Sequence, residues 1–323
     1  MNMLFKEYYK SAEIQARKVS LREFGVGNLE RKIAVRHLSF KSNSELNSFL
    51  RNGAPFYISY SASLYKQPWA TPMESKGRIG CELIFDIDGK ECSRSSIAQS
   101  RDALIKLMNI IEEDFGLSKN DYLVFFSGNR GFHLHVIAED YLPLSSDSRR
   151  QIADYLTCAS YADLFRAEPV GRSEKIIGPS TDDMGQKGRI ARAVFAKFGK
   201  IKGNNWTLLK PVEEKVLSIL PQISVPIDAA VTTDLSKLIR MPLSLHGSTG
   251  LIVKNLDDPY SFDPFNDAVV KTKSTALFTP NQHIPSIEFG GVTQEELSPS
   301  STYTLNLSYA TFLALRGKGS ISC

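Results

Sequence analysis

Two aspartates at the end of an apolar stretch are the first residues whose types and spacing could do chemistry. Asp86 and Asp88 close the run Leu83-Ile-Phe-Asp-Ile-Asp. Residues two apart on a β-strand face the same side, so both carboxylates would project together, about 6–7 Å apart along the backbone. A divalent cation such as Mg²⁺, which binds one or two carboxylates together with substrate phosphates, would remove their repulsion. The pair predicts a metal site for phosphoryl chemistry; the structural alternative is a turn residue before Gly89 beside a surface carboxylate.

A glycine-containing heptapeptide, Ser127-Gly-Asn-Arg-Gly-Phe-His133, could bind an anion. Its glycines allow the backbone to approach a ligand, and Ser127, Arg130 and His133 are donors suited to phosphate oxygens. The structural alternative is a hairpin turn with a solvated arginine and a packed histidine. His133 and His135 form an HxH pair, but no third ligand has local spacing, so a zinc site is not predicted.

The third segment runs from Ile227 to Gly247 and ends in Gly-Ser-Thr-Gly. It contains Asp228 and, six residues apart around a proline, Arg240 and His246. The segment offers a third carboxylate and two more phosphate partners to the first two segments.

Regular elements must position these residues. Alternation and buried-strand patterns predict strands over Gly80–Asp88, Asp121–Ser127 and Phe132–Ile137, and a strand-like stretch over Ile227–Thr233. Apolar residues at helical spacing predict a helix over Ser95–Phe115, which the following glycine would end. Alternating strands and helices indicate an α/β core.

One interval departs from this pattern. Between residues 145 and 222 the sequence becomes helical and basic, which predicts a small helical subdomain inserted into the core. The expected organisation is therefore a first core part over 1–144, the insertion over 145–222 and a second core part over 223–323.

Composition restricts the class of protein. The chain has 323 residues, 42% hydrophobic and 23% charged, with a net charge of +4, which is typical of an ordinary globular protein and excludes fibrous and disordered classes. Its apolar runs are far shorter than the ~20 residues of a membrane span, and Met1–Ser11 carries charges unlike a signal peptide, so neither membrane insertion nor secretion is expected.

The cysteines, Cys81, Cys92, Cys158 and Cys323, are widely spaced without a CxxC. This spacing predicts no disulfide framework or zinc knuckle and favours a reducing compartment.

Taken together and in this order, the three segments resemble the catalytic small subunit of DNA primase, of the archaeo-eukaryotic primase superfamily. The resemblance is to the archaeal form and extends from about Tyr8 to Leu251. Further matching segments are Arg22-Glu-Phe-Gly, Val35-Arg-His-Leu-Ser-Phe, Met73-Glu-Ser-Lys-Gly and Glu113-Asp-Phe-Gly.

The resemblance implies an α/β (α+β) core in which a mixed β-sheet is flanked by helices. It implies template-directed synthesis of short RNA or DNA primers, with Mg²⁺ or Mn²⁺ in a two-metal site. By motif, the metal-binding catalytic residues would be Asp86, Asp88 and Asp228, and the nucleotide-binding residues Ser127, Arg130, His133, Arg240 and His246. Glu23 and Arg36 fall in family motifs near the site and could equally form a structural ion pair.

The implied partners are a separate primase large subunit in a heterodimer, a single-stranded DNA template and nucleoside or deoxynucleoside triphosphates. The implied location is the cytoplasm of an archaeal cell, at the nucleoid. Template contact would be mainly electrostatic; the basic residues considered for it are Arg149, Arg150, Lys197, Lys200 and Lys202.

One departure from the family pattern concerns zinc. Small primase subunits commonly carry a zinc knuckle after the DxD strand, whereas Gly89–Arg101 contains Cys92 alone. No structural zinc is predicted.

Three alternatives stay open on the sequence. Leu83–Gly89 has the apolar-then-DxDG pattern of a haloacid-dehalogenase phosphatase, although it lies far from the N-terminus and Lys90 replaces that family's Thr or Val. A repair or gap-filling polymerase of the same superfamily would extend primers without starting them. A non-catalytic nucleic-acid-binding subunit is disfavoured because all three acids and both basic motifs are present.

Overall fold

The computed structural model describes residues 2–201 and 204–322. The helices are α1 (Asn2–Ser11), α2 (Asn43–Gly53), α3 (Arg94–Phe115), α4 (Ser146–Thr157), α5 (Gly185–Phe198), α6 (Val212–Leu217), α7 (Leu220–Ile223), α8 (Ala229–Thr233), α9 (Pro264–Asp267) and α10 (Leu307–Leu315). The strands are β1 (Phe24–Gly27), β2 (Val35–Leu38), β3 (Tyr57–Ser61), β4 (Ser63–Tyr65), β5 (Arg78–Cys81), β6 (Leu83–Asp88), β7 (Tyr122–Phe126), β8 (Gly131–Val136), β9 (Arg166–Val170), β10 (Ser173–Ile177), β11 (Leu238–Arg240), β12 (Thr275–Pro280), β13 (Ile287–Phe289), β14 (Val292–Gln294), β15 (Tyr303–Asn306) and β16 (Gly319–Ser322).

Two sheets form the framework around the three segments that the sequence analysis singled out. One has the order β11-β3-β1-β2 and the other β6-β8-β7. The expected class, helices with sheets, is confirmed, but a mixed sheet was expected and every named strand pairing among the described residues is antiparallel. For β7 and β8 the reason is the tight hairpin that joins them, because it forces opposite strand directions.

The central strand β6 separates two hydrophobic clusters by its alternation. Leu83, Phe85 and Ile87 pack in one cluster with the apolar face of α3. Ile84 packs on the opposite face, in a cluster that includes Ile58 and Tyr60 of β3. Because side chains alternate along a strand, Asp86 and Asp88 share the Ile84 face, toward the four-stranded sheet.

The long helix behind β6 forms where the sequence predicts it. Ser93 caps its start by accepting a hydrogen bond from the Ser96 N–H, and Gly116 ends it with φ of 68°. The positive φ favours glycine, because a side chain there is strained. The ends of α3 are thus encoded locally.

The inserted segment differs from the expected purely helical unit. It contains a two-stranded hairpin, β9 with β10, as well as α5, α6 and α7. Around Trp206 its residues form a separate hydrophobic cluster, whereas Leu156 of α4 belongs to the main core. We therefore propose that the inserted unit begins after α4, within the expected 145–222 interval.

Cys81, Cys92 and Cys158 are free and buried, and Cys323 lies outside the described residues. In the described ranges, no helix has the length and apolar character needed to cross a membrane.

A buried ion-pair network anchors the start of β6 to the neighbouring sheet. The Glu82 carboxylate pairs with the buried Arg22 guanidinium. It also lies 3.4 Å from Arg17 Nη1 and 3.5 Å from His135 Nδ1. Arg22 also stacks over the Tyr60 ring at 4.3 Å. Burial alone would raise the pKa of Glu82, but Arg22 and His135 outweigh it and lower the pKa to about 2.

Removing this carboxylate should destabilise the fold. We expect Glu82→Gln to lower the free energy of unfolding at pH 7 by about 3–5 kcal/mol, because it leaves the Arg22 charge buried and unpaired. For the wild type, this contribution is present above the usual glutamate pKa of 4.5 and is lost as pH falls toward about 2. Chemical denaturation between pH 3 and 7 measures both effects, with the exposed Glu74→Gln as matched control; an unfolding curve of Glu82→Gln that superimposes on the wild type at pH 7 contradicts the prediction.

Candidate active site

The fold brings the three predicted carboxylates together. Asp86 and Asp88 lie at the end of β6, and the Asp228 backbone N–H donates to the Asp86 carbonyl oxygen at 2.9 Å. Asp228 is the N-cap of α8, its carboxylate accepting from the Ala230 N–H at 2.9 Å. The strand-like prediction over Ile227–Thr233 is therefore wrong, because an Asp at an N-cap satisfies a free backbone donor and starts a helix there.

Asp86 lies in an electrostatic environment that favours a cation. Burial, followed by the charges of Asp88 and Asp228, raises its pKa to about 7. Its Oδ1 is buried without a hydrogen-bond partner, and His133 Nε2 is 3.6 Å away, too far for a hydrogen bond. A buried carboxylate oxygen without a partner is costly unless a cation or donor reaches it.

This donor set fits a divalent ion shared with a substrate. Across residues 2–201 and 204–322, no three Asp, Glu, His or Cys side chains are gathered closely enough to hold a metal by themselves. Mg²⁺ retains waters and takes substrate phosphates beside one or two carboxylates, so a complete protein cage is not required. Asp88 and Asp228 are exposed, which leaves room for those further ligands.

The heptapeptide forms the β7–β8 hairpin turn. The Ser127 N–H donates to the Gly131 carbonyl at 2.9 Å, and the Ser127 Oγ accepts from the Gly131 N–H at 3.2 Å. Glycine is required at 131 because a Cβ would lie 1.9 Å from the Ile87 carbonyl oxygen on β6. Gly128 has φ of 82°, and a Cβ there would come within 2.7 Å of His246 Cβ. Close packing of this turn therefore places His246 beside it.

The two histidines of the site are neutral at pH 7. Burial lowers the pKa of His133 to about 3, and burial together with Arg240 lowers the pKa of His246 well below its usual value. The Ser248 N–H donates to His246 Nδ1 at 3.1 Å, so the imidazole proton resides on Nε2. His246 can therefore donate one hydrogen bond from Nε2 to a ligand oxygen.

Arg240 is a partly buried cation, and two of its guanidinium nitrogens lack hydrogen-bond partners among the described residues. Its Nε and Nη1 are buried and donate to no acceptor among the described residues, and its guanidinium lies 4.6 Å from the Tyr57 ring centroid. Burial lowers its pKa to about 10, which still leaves it charged at neutral pH. An unpaired buried guanidinium is satisfied best by an anion.

All eight predicted site residues converge on one cavity of about 380 Å³. Its lining residues are Lys32, Ile33, Ser59, Asp86, Asp88, Ser127, Asn129, Arg130, His133, Asp228, Val231, Lys237, Leu238, Ile239, Arg240 and His246. Sequence reasoning missed the cations Lys32, in the β1–β2 loop, and Lys237, immediately before β11. Lys237 is signalled by its place three residues before Arg240, whereas nothing local distinguishes Lys32.

Arg130 does not stand free in the cavity. Its Nε and Nη2 donate to Asp88 Oδ2 at 3.2 and 2.8 Å. The predicted phosphate-binding arginine thus contacts a predicted metal ligand.

Glu23 and Arg36 form an ion pair. The fully buried Glu23 accepts from Arg36 Nε at 2.9 Å and lies 3.6 Å from the buried Lys76 Nζ. Arg36 also donates to the Ser236 carbonyl at 3.2 Å, next to Lys237. The pair ties β1 and β2 to the turn that precedes β11.

The basic residues considered for template contact separate into different roles. Arg149 is buried and donates to the Glu82 carbonyl at 3.0 Å, so it is structural rather than a template contact. Arg150 is exposed and pairs with Asp147 at 3.2 Å. Lys202 lies outside the described residues.

The chain is similar in sequence to known DNA primase small subunits. The family model described as DNA primase small subunit matches residues 85–258. The DNA primase small subunit PriS of Archaeoglobus fulgidus is 33% identical over 279 residues, covering 82% of each chain. That of Aeropyrum pernix is 31% identical over 329 residues, covering 99% of this chain and 92% of the relative. Among solved structures, the polymerase domain of Mycobacterium tuberculosis Ligase D in complex with DNA aligns with a TM-score of 0.44 and 14% identity, covering 80% of this chain and 83% of that one.

Proposed function

Because the chain belongs to the DNA primase small subunit family, and is thus a DNA-directed nucleotidyltransferase of DNA replication, we propose that the cavity between β6, β8 and β11 is its active site. The single observation that carries the proposal is the meeting of three carboxylates with unpaired and neutral phosphate donors in that one cavity. The family assignment also removes the haloacid-dehalogenase alternative and the non-catalytic one.

The carboxylates supply the metal-binding side of the site. The family implies a divalent-metal-dependent reaction, and we propose that Asp86, Asp88 and Asp228 hold two ions, Mg²⁺ or Mn²⁺. The unpartnered Asp86 Oδ1 supports this assignment, as does the raised pKa of that carboxyl. When bound, such ions clamp the attacking and leaving oxygens of a phosphoryl group.

The basic side of the site would bind the incoming triphosphate. Arg240 carries an unpaired positive charge and His246 offers its Nε2 proton. Ser127 and His133, of the β7–β8 hairpin, line the same cavity, and Lys237 adds a further cation. These groups would hold the nucleotide with its α-phosphate toward the carboxylates and stabilise the charge that grows on the leaving group.

The proposed reaction is a nucleophilic substitution at the α-phosphorus of the incoming nucleotide. The 3′-hydroxyl of a primer or first nucleotide forms a bond to the α-phosphorus as the α–β phosphoanhydride bond breaks. The hydroxyl proton passes to solvent water, and the β- and γ-phosphates depart as pyrophosphate. Positioning and charge stabilisation, rather than covalent catalysis by a side chain, are the protein's contribution.

The family assignment concerns both the substrates of this chain and its protein partner. DNA and nucleotides are the substrates of a primase small subunit. We further propose that this chain works in a heterodimer with a separate large subunit, and in an archaeal cytoplasm at the nucleoid, on the basis of its archaeal relatives.

Template-dependent incorporation on unprimed single-stranded DNA tests the proposal. Labelled nucleoside triphosphates are supplied with Mg²⁺ or Mn²⁺ to the wild type and to Asp86→Ala, with and without a large subunit. Oligonucleotides made de novo, and absent in the variant, support a primase with its metal site at Asp86. Extension only from an added primer, even with the large subunit present, supports the gap-filling alternative instead. Incorporation by Asp86→Ala at the wild-type rate would overturn the assignment of the site.

Zinc content gives an independent prediction. Cys92 is buried and stands alone in the segment after β6, so we expect less than about 0.1 zinc per chain after purification without chelators. Elemental analysis by mass spectrometry measures it, with a zinc-free dialysis buffer as blank. One tightly bound zinc per chain would show the prediction to be wrong.

A further inference from the structure

Asp88 and Arg130 form an ion pair, although the proposed function assigns a metal ion to Asp88 and a triphosphate to Arg130. The strand register pairs Asp88 of β6 with Gly131 of β8. Arg130, the residue before Gly131 in the β7–β8 turn, therefore lies beside Asp88. Two guanidinium nitrogens then share one carboxylate oxygen, Oδ2. The side chains of Arg130 and Asp88 are 42% and 45% exposed, so the pair can open without disturbing the core.

The ion pair competes with both proposed ligands. A divalent cation at Asp88 would meet a guanidinium charge already on Oδ2, and a triphosphate would meet an Arg130 that already donates from Nε and Nη2 to Asp88.

We propose that Arg130 exchanges between Asp88 and the nucleotide triphosphate, and that this exchange couples nucleotide binding to metal loading at Asp88. The proposal rests on the proposed function and adds to it a coupling between the two ligands. Transfer of Arg130 to a phosphate removes the cation from Asp88 and leaves the carboxylate free for a metal ion. By linkage, a metal ion at Asp88 releases Arg130 and strengthens nucleotide binding by the same factor.

The exchange predicts that removing a residue of the site improves the binding of one ligand. In the absence of nucleotide, Arg130→Ala should bind Mn²⁺ about 3- to 10-fold more tightly than the wild type, since exposed ion pairs of this kind are modest in strength. Electron paramagnetic resonance of free Mn²⁺ at pH 8 measures this directly. Equal or weaker Mn²⁺ binding by Arg130→Ala would overturn the exchange.

A second arm separates the exchange from a general charge effect. Asp88→Asn and Asp228→Asn each remove one negative charge from the same trio, but only the first releases Arg130. With EDTA present, fluorescence anisotropy of mant-ATP should show tighter binding for Asp88→Asn than for Asp228→Asn, by about threefold or more. Equal gains in the two variants would mean that charge alone is responsible, and would overturn the proposal.

The same Mn²⁺ titration distinguishes failure of the exchange from failure of the proposed function. If the wild type and Asp86→Asn bind Mn²⁺ alike, the carboxylates are not the metal site and the proposed function fails with the exchange. If Asp86→Asn loses Mn²⁺ binding while Arg130→Ala shows no gain, the metal site stands and the exchange alone is overturned.

Discussion

Replacing Asp86 with asparagine should reduce template-directed incorporation by about 10³-fold or more while making the metal-free protein more stable at pH 8. Activity is lost because Asp86, the most buried of the three carboxylates, would no longer bind a cation. Binding of the phosphoryl oxygens by metal ions contributes several kcal/mol to such reactions. Asparagine is nearly isosteric with aspartate, so packing around β6 is preserved.

The gain in stability follows from the raised pKa of Asp86. Its pKa rises from 3.8 to about 7, first through burial and then through Asp88 and Asp228, so the folded state favours the protonated form. A raised pKa contributes stability below the unfolded-state value, and this contribution is lost as pH rises through about 7. At pH 8, above both pKa values, the charged form costs the fold up to about 4 kcal/mol, which asparagine removes. At pH 5, between the two values, the difference between wild type and variant should be smaller.

Thermal unfolding with EDTA at pH 5 and pH 8, together with the incorporation assay, measures both parts. Asp102→Asn, on the exposed face of α3, is the matched control and should change neither. Added Mn²⁺ should stabilise the wild type and not Asp86→Asn. A variant that is both inactive and less stable than the wild type at pH 8 would contradict the electrostatic argument.

Replacing Arg240 should have the second-largest effect. We expect Arg240→Ala to lower kcat/KM for the incoming nucleotide by about 10²–10³-fold, the usual consequence of losing one positioned donor to a charged transition state. Its Nε and Nη1 are buried without partners among the described residues, so their interactions are reserved for a ligand. Arg240→Lys keeps the charge but not the planar fork, and should recover a part of the loss.

Steady-state kinetics with a primed template measures this effect, because extension isolates nucleotide binding from initiation. The stability of metal-free Arg240→Ala should equal or exceed that of the wild type, since an unpaired buried charge is removed. Arg172→Ala, an exposed arginine in the β9–β10 turn, is the matched control. A kcat/KM for Arg240→Ala within threefold of the wild type would mean that the guanidinium does not contact the nucleotide.

The sequence by itself determined the elements whose signals are local. The period of two along β6 placed Asp86 and Asp88 on one face, and the Ser93 and Gly116 caps defined α3. The Gly-Asn-Arg-Gly turn and the spacing of Arg240 and His246 are also visible in the sequence. The cavity is lined by Asn129 and Arg130 of that turn and by Arg240 and His246. Such features depend on neighbours within a few positions, so periodicity and turn chemistry reveal them.

Only the tertiary structure decided which charges meet. It paired Arg130 with Asp88, 42 residues away, and turned Arg149 inward to the Glu82 carbonyl, 67 residues away. It brought Lys32 and Lys237 into the cavity and made Asp228 a helix cap instead of a strand residue. A charged side chain has the same local signal whether it faces solvent, a carboxylate or a ligand, because its partner is set by distances across the fold rather than along the chain.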